Sequence, residues 1–258
     1  MTADSTGPAA DAVPAADAVL LETIRQQPLP RHIAVIMDGN GRWAGLRGLP
    51  RVAGHREGVR AARETVRTAG RLGIGFLTLY AFSSENWARP PAEVSFLMRL
   101  LETSVDEELP GLVDNNIRLR ILGEVATLDA GVQRSVEQAV RATEGNTGLT
   151  LLIALNYGGR GELVRAVRFL ADRVARGALA PEAIDEASIT AALDTAAVPD
   201  PDLLIRTSGE YRLSNFLLWQ VAYTELLVLP TLWPDFSPRD LYGAVAEYQR
   251  RSRRFGGL

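Results

Sequence analysis

The sequence predicts an α/β fold built on a mainly parallel sheet flanked by helices, and three features carry that expectation. Short apolar runs rich in β-branched residues alternate with longer stretches of helical period. Each apolar run opens into a loop of glycine and polar residues, and in open parallel sheets ligands gather at that edge. The chain has 258 residues, 47% hydrophobic and 23% charged, enough for one large core, and no internal repeat divides it. A single domain over residues 20–258 is expected, preceded by a disordered tail at 1–19 whose Ala, Asp and Pro offer little to bury.

The first strand is Ile33 to Met37, and it delivers Asp38-Gly39-Asn40-Gly41-Arg42-Trp43. Two glycines let the backbone approach an anion and offer it N–H groups, Arg42 adds a forked cation, and Asp38 can hold a hard metal. The stretch also reads as a plain turn, and Gly39-x-Gly41-x-x-Ala44 matches a dinucleotide fingerprint. Against the fingerprint, Gly45, Gly48 and Pro50 interrupt the helix that should receive a pyrophosphate, and the next strand ends in Phe82-Ser83, not in a ribose-binding acid.

A helix follows from His55 to Leu72, with Val59, Ala62, Val66 and Ala69 on one face and Gly73 at its end. The second strand, Phe76 to Phe82, opens into Ser83-Ser84-Glu85-Asn86-Trp87-Ala88-Arg89, too varied in chemistry for a mere connector. In the long helix that runs to about Asn115, Val94, Leu97, Leu100, Leu101 and Val105 form a stripe that is either core or the wall of an apolar cavity. Strands at 117–122, 149–155, 203–205 and 226–229 and helices at 130–143, 162–176, 187–193 and 242–248 complete the alternation. The polar loops after successive strands would bring Arg42, Arg51, Arg89, Arg206 and Arg212 towards one crevice, which suits a substrate carrying several phosphates.

Composition excludes much else. The chain has no cysteine, hence no disulfide, thiolate metal site or thiol nucleophile, which suits a cytoplasmic location. All 28 basic residues are arginine, so a Schiff base or a P-loop lysine is impossible. A net charge of -3 argues against nucleic-acid binding. No apolar run approaches the ~20 residues of a membrane span, and the N-terminus lacks the basic region of a signal peptide.

Six blocks, in order, resemble the cis-prenyltransferases, the undecaprenyl diphosphate synthase family: MDGNGRWA from Met37, GHREG from Gly54, FSSENWARP from Phe82, NYGGRGE from Asn156, RTSGEYRLSNFLLWQ from Arg206 and AYTEL from Ala222. No DDxxD element of the trans-prenyltransferases occurs. The resemblance implies Mg²⁺-dependent condensation of isopentenyl diphosphate with an allylic diphosphate, such as farnesyl or geranyl diphosphate, forming a Z double bond each cycle beside a hydrophobic tunnel. By position, it implies Asp38 and Glu225 as metal ligands and Asp38 and Asn86 as catalytic residues. Gly39, Asn40, Gly41, Arg42, Trp43, Arg51 and His55 would serve the allylic substrate. Ser83, Ser84, Glu85, Trp87 and Arg89 would form the loop around Asn86, and Arg206, Arg212, Leu213 and Ser214 would hold isopentenyl diphosphate. Tyr211 takes no metal role.

It further implies a homodimer, in which Arg254-Phe255-Gly256 reaches the partner's site, and peripheral membrane contact on product release. Ala81, small and next to Phe82, favours a long deca- or undecaprenyl product, a lipid-carrier precursor for cell-wall synthesis; a short-chain synthase is the alternative. A non-catalytic family partner would lack Asp38 and Asn86, both of which are here, and a nucleotide-dependent oxidoreductase is the remote rival.

Overall fold

Six parallel strands form one sheet in the order β3-β4-β2-β1-β5-β6 in the computed structural model, which describes residues 15–251. They are β1 (His32–Ile36), β2 (Phe76–Ser83), β3 (Arg118–Leu122), β4 (Thr150–Tyr157), β5 (Leu203–Arg206) and β6 (Glu225–Val228). The helices are α1 (Ala15–Arg25), α2 (Asn40–Leu46), α3 (Arg51–Leu72), α4 (Pro91–Asp114), α5 (Ala130–Ala142), α6 (Gly159–Ala175), α7 (Glu186–Ala192) and α8 (Pro238–Arg250). Every residue of β1 and of β5 is buried, as near-continuous apolar runs require when a parallel sheet is covered on both faces. β1 pairs with β2 on one side and β5 on the other, so the crevice where the strand order reverses opens between the carboxyl ends of β1 and β5.

Two expectations need correction. Of the residues expected in the tail, 15–19 belong instead to α1, whose Leu21 and Ile24 are buried and whose Ile24 carbonyl accepts from Gln249 Nε2 of α8 at 2.7 Å. The earlier residues lie outside the described chain. Between β1 and the long helix the chain also forms α2, despite Gly41 and Gly45, because tertiary packing onto α3 overrides weak local propensity.

Because all strands point one way, α3 and α4 both descend from the loop edge of the sheet towards its opposite edge. α4 divides its apolar surface. Val94 and Met98 pack with Val132 and Val136 of α5, whereas Leu97, Leu100, Leu101 and Val105 line a cavity of about 230 Å³ walled by α3 and by β2, β3 and β4. The stripe is therefore core on one flank and cavity wall on the other. Ala81 lines the same cavity and is exposed into it. It is there because β2 carries a bulge: Tyr80 pairs with Ala154 and Phe82 with Leu155, which leaves Ala81 as the extra residue, re-aimed off the ladder.

At the opposite edge of the sheet, where β1 begins, His32 is held neutral. Its Nδ1–H donates to the Pro199 carbonyl at 2.7 Å and its Nε2 accepts from the Thr78 hydroxyl at 2.7 Å, since a carbonyl can only accept. Burial outweighs the carbonyl of Pro199 and the charge of Asp202 and pushes its pKa down to about 4. The unfolded chain takes up this proton near 6.5, so the group favours the folded state above 6.5 and that stability is lost as pH falls towards 4. Urea unfolding is expected to show about 2 kcal/mol lost between pH 7 and pH 5 from this residue, a loss that His32→Gln removes.

Candidate active site

At the crevice between β1 and β5, Asp38 meets Arg206. The Arg206 guanidinium is buried, donates through Nη2 to Asp38 Oδ2 at 2.9 Å and through Nη1 to Ser214 Oγ at 2.8 Å and to the Arg212 carbonyl, and keeps a buried Nε–H without a partner. Thr207 fixes the other side of this contact: its hydroxyl donates to the Asp38 carbonyl at 2.7 Å and accepts from the Asp38 N–H at 2.9 Å. Arg42 closes the cluster, with Asp38 at 3.4 Å, Glu210 at 3.2 Å and the Ser208 carbonyl and hydroxyl at 3.1 and 2.5 Å. Burial pushes the Asp38 carboxyl up, but the hydrogen bond and charge of Arg206, the charge of Arg42 and the Gly39 N–H outweigh it and hold the group below its usual range.

Two glycines make this geometry fit. Gly39 has φ +109°, and a Cβ there would meet Leu232 at 2.9 Å. A Cβ on Gly41 would meet Arg51 Nη1 at 2.9 Å, so its bare backbone lets that cation approach. Arg51, His55 and Arg89, however, share a residue that sequence reading missed. Glu93 accepts from Arg89 at 2.9 Å and lies 3.3 Å from both the Arg51 guanidinium and His55 Nε2. Burial alone would raise its pKa; His55, Arg51 and Arg89 bring it below the ordinary value. His55, close to Asn40 at 3.4 Å, is lowered chiefly by burial, against the pull of Glu93.

The loop after β2 folds into a 3-10 helix, Ser84–Ala88, closed by a capping box in which Asn86 Oδ1 accepts the Ser83 N–H at 3.1 Å. The amide oxygen is thus committed to backbone, and the Asn86 NH₂ is the end that can donate to a ligand. Glu85 accepts from Ser84 at 3.1 Å and from Asn215 at 2.7 Å. Trp87 donates to Asn156 at 2.8 Å and packs edge-on to Phe82. Ser83, Asn86 and Ser214 line an open cavity of about 540 Å³ together with Arg160, another residue that sequence reading left unassigned.

Not every candidate joins the cluster. Arg212 extends to Glu210 at 2.7 Å, and Leu213 packs against the core beneath. Trp43 donates to Asp235 at 2.7 Å under the Arg47 cation, 4.1 Å above its ring. Glu225 is the clear departure: it opens β6 opposite Leu203, at the far end of the strand from Arg206, about 10 Å of strand away, and binds Arg251 at 3.0 Å. Within one chain it is no neighbour of Asp38, because the AYTEL block begins its strand where MDGNGRWA ends one. Arg254 lies outside the described residues.

A polar mouth beside a deep apolar cavity is therefore the site, and relatives identify its family. The model of the family described as putative undecaprenyl diphosphate synthase matches residues 36–256. The chain belongs to that family. It is 59% identical over 229 residues to an isoprenyl transferase of Brucella abortus, covering 89% of this chain and 90% of the relative, and 52% identical over 237 residues to that of Bacillus subtilis, covering 92% and 91%. Among solved structures, lavandulyl diphosphate synthase from Lavandula x intermedia, in complex with dimethylallyl diphosphate, matches with TM-score 0.85 and 40% identity over 89% of this chain and 99% of its own. A probable undecaprenyl diphosphate synthase from Campylobacter jejuni matches with TM-score 0.74 and 33% identity over the same shares. This family member is an enzyme, a prenyl transferase, and the fold matches that of its cis-prenyltransferase neighbours.

With only two histidines in the chain, the Glu93 bridge can be read by NMR. Glu93→Gln is expected to move the His55 titration to still lower pH, since the partner that raises it is lost, while His32 stays where it is.

Proposed function

We propose that this chain catalyses Mg²⁺-dependent condensation of isopentenyl diphosphate with an allylic diphosphate, farnesyl or geranyl, forming a Z double bond each cycle and ending in a long polyprenyl diphosphate of the deca- or undecaprenyl class, a carrier-lipid precursor for cell-wall synthesis. The observation that carries this reading is the continuity between the Asp38–Arg206 cluster and the apolar cavity, whose mouth is lined by Met37, Asn40 and His55. A diphosphate held at the first leaves its hydrocarbon tail nowhere to go but the second.

The Gly39–Gly41 backbone, Arg42, Arg51 and His55 surround the allylic diphosphate in this reading, and Arg206, Arg212 and Ser214, with Ser83, Arg89 and Arg160 nearby, hold isopentenyl diphosphate. The allylic C–O bond breaks, a C–C bond forms to isopentenyl diphosphate, and a proton leaves for a diphosphate oxygen. Asn86 positions that diphosphate through its NH₂, because its amide oxygen already accepts from Ser83. Mg²⁺ suits the site: among the described residues no group of three acid or histidine ligands forms, and Mg²⁺ is ordinarily held by one or two carboxylates with phosphate and water oxygens, a role Asp38 fits. When bound, the ion supplies positive charge against the departing diphosphate.

A short-chain product is the second reading, favoured by the 40% identity to lavandulyl diphosphate synthase and by the modest cavity. Ala81 supports the long product, since a methyl group at that point of the wall leaves the path open. The homodimer is proposed on the same family basis, and the open edge at β6, with Tyr223 and Leu226 exposed, leaves surface for it. No helix among the described residues is long and apolar enough to cross a membrane. A cytoplasmic location, with membrane contact on product release, is proposed on the family basis.

Two substitutions test these roles. Removing Asp38 altogether would strand the buried Arg206 charge, so Asp38→Asn, which keeps an acceptor, is the sounder variant. It is expected to lower turnover by about 10²–10³-fold or more with folding retained by circular dichroism, and near-normal product formation at limiting Mg²⁺ would overturn the metal role. For chain length, Ala81→Leu is expected to shorten the products seen by chromatography, whereas unchanged lengths with lost stability would reduce Ala81 to a packing residue.

A further inference from the structure

The lining of the apolar cavity contains a charged pair that the reaction does not use. Away from the mouth, Arg63 of α3 and Glu108 of α4 are the ionisable side chains in that lining among the described residues, and they form an ion pair with each other across the two helices. Their side chains are 38% and 29% exposed, so the pair faces the cavity on one side and solvent on the other. It stands in a seam. α3 and α4 descend side by side: below the pair, Leu112 of α4 shares the core cluster of α3 with Leu77 and Leu79, whereas above it Val94 and Met98 of α4 pack with α5. Among the described residues the polar and ring contacts that tie α3 to α4 are Arg51 and His55 on Glu93 at the mouth, Arg56 over the Phe96 ring at 5.5 Å, and Arg63 on Glu108.

Between the upper ties and the lower one, Val59 and Ala62 face Leu97, Leu101 and Ser104 across the cavity. From His55 to Arg63 is about 12 Å of helix. By proportion to a 150 Å³ cavity that takes benzene, about 230 Å³ takes roughly ten carbons, two isoprene units. The tail of a geranyl or farnesyl primer thus already fills the cavity, level with the pair, and the first additions must go beyond it. Just below the pair α4 also lacks one backbone tie, since Pro110 lies inside it and can give no N–H to the preceding turn.

We propose that Arg63 and Glu108 latch a lateral seam between α3 and α4, which the prenyl tail parts once it outgrows the cavity, so that the strength of the latch helps to set product length. The inference rests on the elongation reading above. It names a route for the hydrocarbon, sideways between two helices, and two residues that control it.

Since the chain has no cysteine, the seam can be tied at will. In an Arg63→Cys/Glu108→Cys variant, a short bifunctional methanethiosulfonate bridges the helices, whereas methyl methanethiosulfonate caps the same two thiols without bridging; intact mass distinguishes the products and dithiothreitol reverses both. With farnesyl diphosphate and labelled isopentenyl diphosphate, the bridged enzyme is expected to make products several isoprene units shorter than the capped enzyme, with recovery on reduction. Equal lengths for bridged and capped enzyme overturn the latch. Should the double variant fold poorly, Glu108→Gln is read instead: an at least twofold larger share of products longer than the main one supports the latch, and an unchanged distribution overturns it. If the unmodified chain itself stops after a single condensation, the long-chain reading fails and the latch fails with it; if it elongates and bridging changes nothing, the latch alone fails.

Discussion

A buried guanidinium cannot stand without an anion, and the site is arranged around that requirement. Arg206 closes β5 with its charge almost wholly removed from water, and Asp38, two residues past the end of β1, is the acid that compensates it. The contact fixes the carboxyl ends of two neighbouring strands relative to each other and draws in Thr207, Ser208, Arg42 and Ser214. The same logic repeats at Glu93, which gathers Arg51, His55 and Arg89. The cations assigned here to the diphosphates are thus neutralised by acids in the fold itself, and on the proposed function a diphosphate exchanges one set of counter-charges for another without entering a bare cluster of positive charge. Like charges held apart by their own anions cost the empty fold little and leave rigid, forked donors in place.

Much of this was legible in the chain. β1 to β6 follow apolar runs flanked by glycine and polar residues, and the loops after β1, β2 and β5 were readable as the functional edge because parallel strands leave no other place for them. What the sequence did not disclose was pairing at a distance. Glu93 sits in the first turn of α4, where an acid is ordinary helix chemistry, and nothing in its neighbours announces three cations from other elements. Glu225 shows the converse: a matched block locates a residue along the chain but not at which end of a strand the fold puts it, and within one chain it lies away from Asp38. α1 escaped because Leu20, Leu21 and Ile24 are few among alanines, and they bury only against the assembled core, with α8 beside them.

Energetics separate the two halves of the cavity. Burying one isoprene unit, five carbons, is worth on the order of 4 kcal/mol, while a half-exposed ion pair contributes about 1 kcal/mol at most. Apolar contact therefore governs the wall between α3 and α4, and polar ties modulate it. The mouth is different, since His55 and Glu93 are largely buried and tied to several partners. On the latch proposal, α3 and α4 stay tied at that end while the deeper wall gives.

The bulge at Ala81 ties these halves together. One extra residue in β2 turns a side chain into the cavity only two positions before Ser83 begins the loop that carries Asn86. On the proposed function, the surface that measures length and the edge that reacts are thus successive stretches of one strand, joined by a few peptide bonds. Backbone changes there cannot retune length without disturbing chemistry, whereas a change of side-chain volume can. On that reading, product size in such a scaffold is retuned by changes of single side chains and not by insertions or loop exchange.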